Sequence, residues 1–133
     1  MSAVIPAEFR DLLARDKRAF AHLALVLQDG TPHVSPIWFD WDGKHVILNT
    51  ARGRVKDKVM SRLPRVALSI TDPADWERYI LIRGRVAAST EEGAWEQICD
   101  LREKYHGDRN FRRTPGQVRV TYKIEPEHVF ASD

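Results

Sequence analysis

The sequence predicts a mainly β, α+β fold in which six antiparallel strands form a closed or half-closed barrel with helices on its flanks. Three observations carry this expectation. Apolar runs of strand length are separated by turn signals roughly every ten residues, among them the pairs Asp29-Gly30 and Asp42-Gly43. Most connections between neighbouring runs are too short for the crossover that parallel strands need, so antiparallel pairing is favoured. Helical spacing occurs in three separate segments, few enough to flank a barrel rather than to alternate with every strand.

The elements follow in order. Pro6 suits the first turn of a short amphipathic helix, whose Phe9, Leu12 and Leu13 recur at i, i+3 and i+4. Residues 20–27 are a nearly continuous apolar run, and Gln28-Asp29-Gly30-Thr31 turns the chain into a second strand over 32–39. Asp42-Gly43 turns it again into a third strand over 45–49, which makes the three a meander. Arg52 to Leu63 reads as a helix because Val55, Val59 and Leu63 form one apolar stripe among charges, and Pro64 ends it. A fourth strand covers 66–71, a turn 72–75, and a fifth strand 79–88 with Arg83 and Arg85 interleaved. Thr90 to Tyr105 reads as a helix with Trp95 turned to the core; a polar loop over 106–117 and a sixth strand over 118–124 close the chain.

A chain of 133 residues fits a single domain spanning 1–133. Its 21 basic and 19 acidic residues leave a net charge of only +2, which argues against a general nucleic-acid binder. The first residues lack a charged leader followed by an apolar run, and no apolar stretch nears the roughly 20 residues that span a bilayer. The expectation is a cytoplasmic protein without membrane or nucleic-acid partners. The lone Cys99 builds neither an internal disulfide nor a cysteine metal site, and His22, His33, His45, His106 and His128 show no metal-ligand spacing. No nucleophile signature or glycine-rich phosphate loop occurs, so the sequence singles out no catalytic side chain. If the protein is an enzyme, a cofactor supplies the hard chemistry.

The most unusual segment is Asn49-Thr50-Ala51-Arg52-Gly53-Arg54-Val55-Lys56-Asp57-Lys58, where four positive charges fall at the handover from strand to helix. Unpaired N–H groups and the positive end of the helix dipole favour an anion there. Thr50 is read as the helix N-cap or as a hydroxyl donor to phosphate, Arg54 as a two-pronged phosphate grip and Lys56 as a compact charge. The same spacing also fits a solvated helix face partly neutralised by Asp57. Trp38 and Trp76 suit either rim packing or contact with a flat heteroaromatic ligand.

Four segments resemble, in order, the motifs of a known family. Leu25 to Trp38 resembles its opening hairpin, T-x-x-x-D-G-x-P-x-x-x-P-V-W, and Leu48 to Lys56 its cofactor turn, T-x-x-x-R-x-K. Leu63 to Leu68 is similar to D-P-R-V-x-L without the acidic residue, and Tyr79 to Val86, with Gly84, to its V-x-G-x-A/V strand. The family is the pyridoxamine-phosphate-oxidase-like, FMN-binding type of split β-barrel, and the closer resemblance is to its branch using the deazaflavin coenzyme F420. The resemblance implies a homodimer with the cofactor between subunits, and hydride transfer between deazaflavin and a small, electron-poor organic substrate. It implies that Thr50, Arg54 and Lys56 hold the cofactor phosphate, with Asn49 also among the cofactor-binding residues. Ser35, Pro36, Ile37 and Trp38 would line the ring, and Trp76 would reach across from the partner. The alternatives are FMN in the same turn, or a non-catalytic flavin, deazaflavin or haem carrier.

Overall fold

The computed structural model describes residues 2–132. Two tight 3-10 helices, Ala7–Leu13 and Arg15–Lys17, lead into β1 (Phe20–Val26), β2 (Pro32–Ile37), β3 (Asp40–Trp41) and β4 (Val46–Ala51). A short helix α1 (Val55–Met60) precedes β5 (Arg65–Asp72) and β6 (Asp75–Thr90), and a longer helix α2 (Ala94–His106) precedes β7 (Arg119–Ala131). The strands form one antiparallel sheet in the order β2-β1-β5-β6-β7-β4-β3. The expected chemistry of the turns is present. Gly30 adopts φ +87°, a value that favours glycine, while Asp29 Oδ1 accepts the Thr31 N–H at 2.9 Å.

The strand count is seven, not six, and the expected three-stranded meander does not form. β2 pairs with β1 up to Ile37, whereas Asp40 and Trp41 pair with Ile47 and Val46 of β4. The chain therefore leaves one edge of the sheet and joins the other with only Trp38 and Phe39 between. Three Cα steps span at most about 10–11 Å. The sheet must curl until its edges nearly meet, which makes it a half-barrel.

The last turn of α2 clamps this crossing. Phe39 is fully buried, and the Lys104 ammonium donates to its carbonyl at 2.6 Å while lying 3.9 Å from the ring centroid. Arg15 bridges Asp40, at 2.5 Å, to the Asp100 carbonyl of α2, at 2.9 Å. Tyr105 donates its hydroxyl to the Ala19 carbonyl at 2.9 Å. Lys104 is 4% exposed, and burial brings its pKa down to about 8 despite the opposing pull of Asp40.

The helix expected over 52–63 is confined to Val55–Met60. Gly53 at φ +89° and an extended Arg54 hold the chain out of the helix ahead of it. Arg54, not Thr50, occupies the N-cap position; Thr50 is buried in β4 opposite Val120. The corner is shaped by the buried Asp57, which accepts from the Gly53 N–H at 2.9 Å, Arg52 at 3.0 Å and the Tyr122 hydroxyl at 2.6 Å. Burial raises the Asp57 pKa, but these bonds outweigh it and hold the carboxyl below its ordinary value. The last strand runs well past the expected end at Ile124. Pro126 reads as a breaker, yet it sits where the β6–β7 register shifts, opposite Gly84.

Two predictions follow from this packing. Lys104 is harder to protonate in the fold than in the unfolded chain, so its charge disfavours folding below pH 8 and this penalty lifts as pH rises toward the ordinary lysine value. Between about pH 7 and pH 10, urea unfolding should show wild type gaining about 2 kcal/mol relative to Lys104→Met; a pH-independent gap would contradict a buried ammonium. Asp57→Ala leaves the Tyr122 hydroxyl and the Gly53 N–H without their partner, and should cost about 2–4 kcal/mol of stability at neutral pH. That difference should shrink below about pH 4, where the unfolded carboxyl is protonated.

Candidate functional site

A cavity of about 570 Å³ opens where the ends of β1, β2 and β4 meet α2 and the loop over residues 107–118. Its size suits a small organic ligand, for which roughly 300–1,000 Å³ is usual. One part of its lining is aromatic and apolar. The Trp38 ring lies nearly parallel to Tyr105 with centroids 5.7 Å apart, and Phe111 meets it edge-on at 6.3 Å. Pro36 and Ile37 continue this wall along β2, and His22 lines the cavity from β1, in register with Pro36.

The rest of the lining is basic. Arg54, Arg112 and Arg119 all face the cavity, and none pairs with a carboxylate among the described residues. Most other arginines have such partners: Arg15 with Asp40, Arg52 with Asp57 and Glu91, Arg78 with Asp11 and Asp72, Arg102 with Asp108. Burial, and secondly the charge of Arg54, push the Arg119 pKa down to about 10. Lys56 is half-buried, and burial together with Arg54 lowers its pKa as well. Cations crowded in this way are stabilised by an anion. Among the described residues no cluster of His, Cys, Asp or Glu is arranged to hold a metal ion.

Of the nine residues singled out in the sequence, Pro36, Ile37, Trp38, Asn49 and Arg54 line this cavity. Ser35, Thr50, Lys56 and Trp76 do not. Alternation along a strand accounts for two of these: Ser35 points away from the face of Pro36, and Thr50 away from the face of Asn49. The Ser35 hydroxyl is nevertheless buried without a hydrogen-bond partner among the described residues. Lys56 stands beside Arg54 on α1, and Trp76 is 79% exposed near the start of β6. Asn49 is a brace as well as a lining residue, donating to the Ala94 carbonyl at 2.8 Å and accepting from Arg119 Nε at 2.9 Å. Trp95 is not a core residue: Phe111 and Arg113 of the loop pack against it, with the Arg113 guanidinium 3.9 Å from its ring centroid.

The contribution of the loop and of Arg119 was not anticipated. The signal lay in the spacing of Arg109, Arg112, Arg113 and Arg119, a local basic excess of the kind that marked residues 52–58. Arg109 is drawn off by Asp100, leaving Arg112 and Arg119 for the cavity.

The family model described as pyridoxamine 5'-phosphate oxidase matches residues 5–133. No curated protein matches the chain. Among solved structures, one named F420 reductase, 29% identical, aligns over 95% of this chain and 98% of its own with a TM-score of 0.82. A conserved hypothetical protein of Mycobacterium tuberculosis, 23% identical, aligns over 99% of this chain and 86% of its own with a TM-score of 0.74. A Listeria innocua protein provisionally named a pyridoxamine 5'-phosphate oxidase, 21% identical, aligns over 93% of this chain and 94% of its own with a TM-score of 0.69; at these last two identities the likeness is one of fold. The half-barrel and the family match over nearly the whole chain lead to one assignment: the protein belongs to the pyridoxamine 5'-phosphate oxidase family of split barrels.

Proposed function

We propose that the protein is an oxidoreductase that binds a flavin-type cofactor in the 570 Å³ cavity, and that the cofactor is the deazaflavin coenzyme F420. The observation that carries this reading is the union, in one cavity, of a flat aromatic wall at Ile37–Trp38 with arginines that lack carboxylate partners among the described residues. The first suits a planar ring and the second an anionic tail. The likeness to a structure named F420 reductase over nearly the full length of both chains supports the choice of deazaflavin.

The residues present fit such a group. Pro36, Ile37 and Trp38 would flank the ring, with the Ser35 hydroxyl one position away. Arg54 and Lys56 would hold the phosphate at the β4–α1 corner, with Thr50 and Asn49 at the adjoining strand end. When bound, a deazaflavin supplies or accepts hydride. The chain's part is orientation and the exclusion of water, for which the Phe111 loop closes one side of the cavity. The acceptor is a small, electron-poor organic molecule such as a conjugated carbonyl, a quinone or a tetrapyrrole-like compound.

A homodimer belongs to the same proposal. Phe20, Val34, Leu81 and Phe130 are exposed on the outer face of the β2-β1-β5-β6-β7 sheet, in rows set by the pairings His22↔Pro36 and Leu81↔Phe130. An apolar face of this kind marks an interaction surface. It adjoins the cavity at Phe20, His22 and Pro36, so a second copy seated there would also wall the cavity, and the partner's exposed Trp76 is the residue to reach it. Among the described residues no helix is long and apolar enough to cross a membrane, and the proposed site of action is the cytoplasm.

Fluorescence titration with F420 and FMN side by side tests the reading. F420 should bind at micromolar protein and FMN more weakly; FMN binding with no F420 binding would remove the deazaflavin assignment. Arg54→Ala removes charge-assisted hydrogen bonds worth about 1.5–3 kcal/mol and should weaken F420 roughly tenfold to a hundredfold. Unchanged affinity would put the phosphate elsewhere.

A further inference from the structure

We infer that His22 is a catalytic proton donor in this cavity and that the acceptor is a conjugated carbonyl compound, whose reduction needs a proton as well as a hydride. This rests on the deazaflavin reading above, and it deepens that reading by naming the acid and narrowing the substrate class.

The lining of the cavity leaves few groups for this task. Among the described residues, no aspartate, glutamate, lysine or cysteine lines it. Its three arginines stay charged, and its amides and the Thr114 hydroxyl are too weakly acidic to give up a proton near neutral pH. The Tyr105 hydroxyl donates to the Ala19 carbonyl at 2.9 Å, and burial holds it well above the ordinary tyrosine value, so its proton is retained. An imidazole, by contrast, gives and takes a proton near neutral pH. His22 is the one histidine in the lining. His106 lies outside it, edge-on to Trp38 at a centroid distance of 5.3 Å.

The sheet puts His22 beside the aromatic wall. It stands directly opposite Pro36 of β2, and opposite Ser69 of β5 on its other side. Side chains paired in this way share a face, with Cβ atoms about 4.5–5.5 Å apart. The imidazole therefore adjoins the Pro36–Trp38 stretch that suits a planar ring. Among the described residues it has no hydrogen bond and no ion pair, whereas His45 is held by Asp42 at 3.0 Å. Neither cross-strand neighbour is charged, and the charged groups that face the cavity are Arg54, Arg112 and Arg119. An exposed imidazole with no partner of its own is free to meet a substrate.

The chemistry balances around this group. Hydride from the reduced deazaflavin forms a C–H bond at the β-carbon of the acceptor, and the carbon–carbon π pair shifts to give an enolate. The imidazolium N–H bond then breaks and its proton goes to the α-carbon. The enolate double-bond pair forms that second C–H bond, and the carbonyl is restored. The acceptor gains an electron pair, the deazaflavin loses one, and the neutral imidazole recovers its proton from water.

One arm of the test needs no cofactor. 4-Nitrophenolate copies a flat enolate with its charge on oxygen. In protein carrying 13C-labelled histidine, its addition should shift the imidazole signal that is missing from the His22→Gln spectrum; no response of that signal overturns the proposal. Loaded with F420, the wild type should reduce 2-methylcyclohex-2-enone mainly to one enantiomer of the saturated ketone, because the α-proton arrives from one side. His22→Gln should bind F420 with unchanged affinity, lose about a hundredfold in turnover and give a product of low optical purity. Imidazole added to His22→Ala should recover part of the rate. Because His22 is exposed, these variants leave the core intact. Unchanged turnover and optical purity in His22→Gln would overturn the role of His22, and an F420-loaded wild type inert toward the enone would overturn the substrate class. Failure of the wild type to bind F420 is a separate result, which would remove the deazaflavin reading and this inference with it.

Discussion

The two residues that carry the chain from β2 to β3 are the constraint on which the rest of the structure depends. β2 and β3 are the two edges of one seven-stranded sheet, yet only Trp38 and Phe39 separate them. A flat or gently twisted sheet cannot satisfy that connection, so the curl of the half-barrel is a covalent necessity. It is then held by the buried Lys104 ammonium on the Phe39 carbonyl and by Arg15 bridging Asp40 to α2. The clamp is polar, but each member has its partner, as buried polar groups require. Because the crossing lies against α2, Trp38 is stacked on Tyr105 instead of facing solvent.

The same crossing brings together groups that lie far apart in the chain. Curling the sheet sets the end of β2 near the end of β4, so the Trp38 wall and the Arg54 corner share a cavity. Charge is distributed unevenly around it. Asp57 and Glu91 neutralise Arg52, and Asp57 also fixes the Gly53 turn that projects Arg54 out of the helix. Among the described residues, Arg54, Arg112 and Arg119 have no carboxylate partner beside the apolar wall. That combination, rather than any single side chain, makes the cavity suited to a planar molecule with an anionic end.

Much of this was legible in the sequence wherever one local signal decided the outcome. The Asp29-Gly30 hairpin, the turn at Pro73-Ala74 and the stripe that buries Phe9, Leu12 and Leu13 are set by neighbours in the chain, and they formed as expected. The short β3 was hidden because no turn residue between Ile37 and Asp40 reveals that the chain changes strand partner there. The second half of β7 was hidden by Pro126, which only the register shift opposite Gly84 accommodates. At the site, Arg54 was visible in the local basic excess at a strand-to-helix handover, whereas the Pro36–Trp38 stretch was found through the motif that resembles the family's opening hairpin. Thr50 was misread as a cap because the position of the helix start depends on the tertiary bonds of Asp57 to Gly53 and Tyr122. Arg119 needed the strand pairing Ala51↔Arg119 before it could be placed beside Arg54.

The most direct measurement is a crystal structure of the protein grown with coenzyme F420. The account predicts the deazaflavin ring against Ile37 and Trp38, with its phosphate within hydrogen-bond distance of Arg54. A structure in which the cofactor lies outside this cavity, or in which the side chains of the 107–118 loop fill the space between Trp38 and Arg54 when it binds, would contradict it.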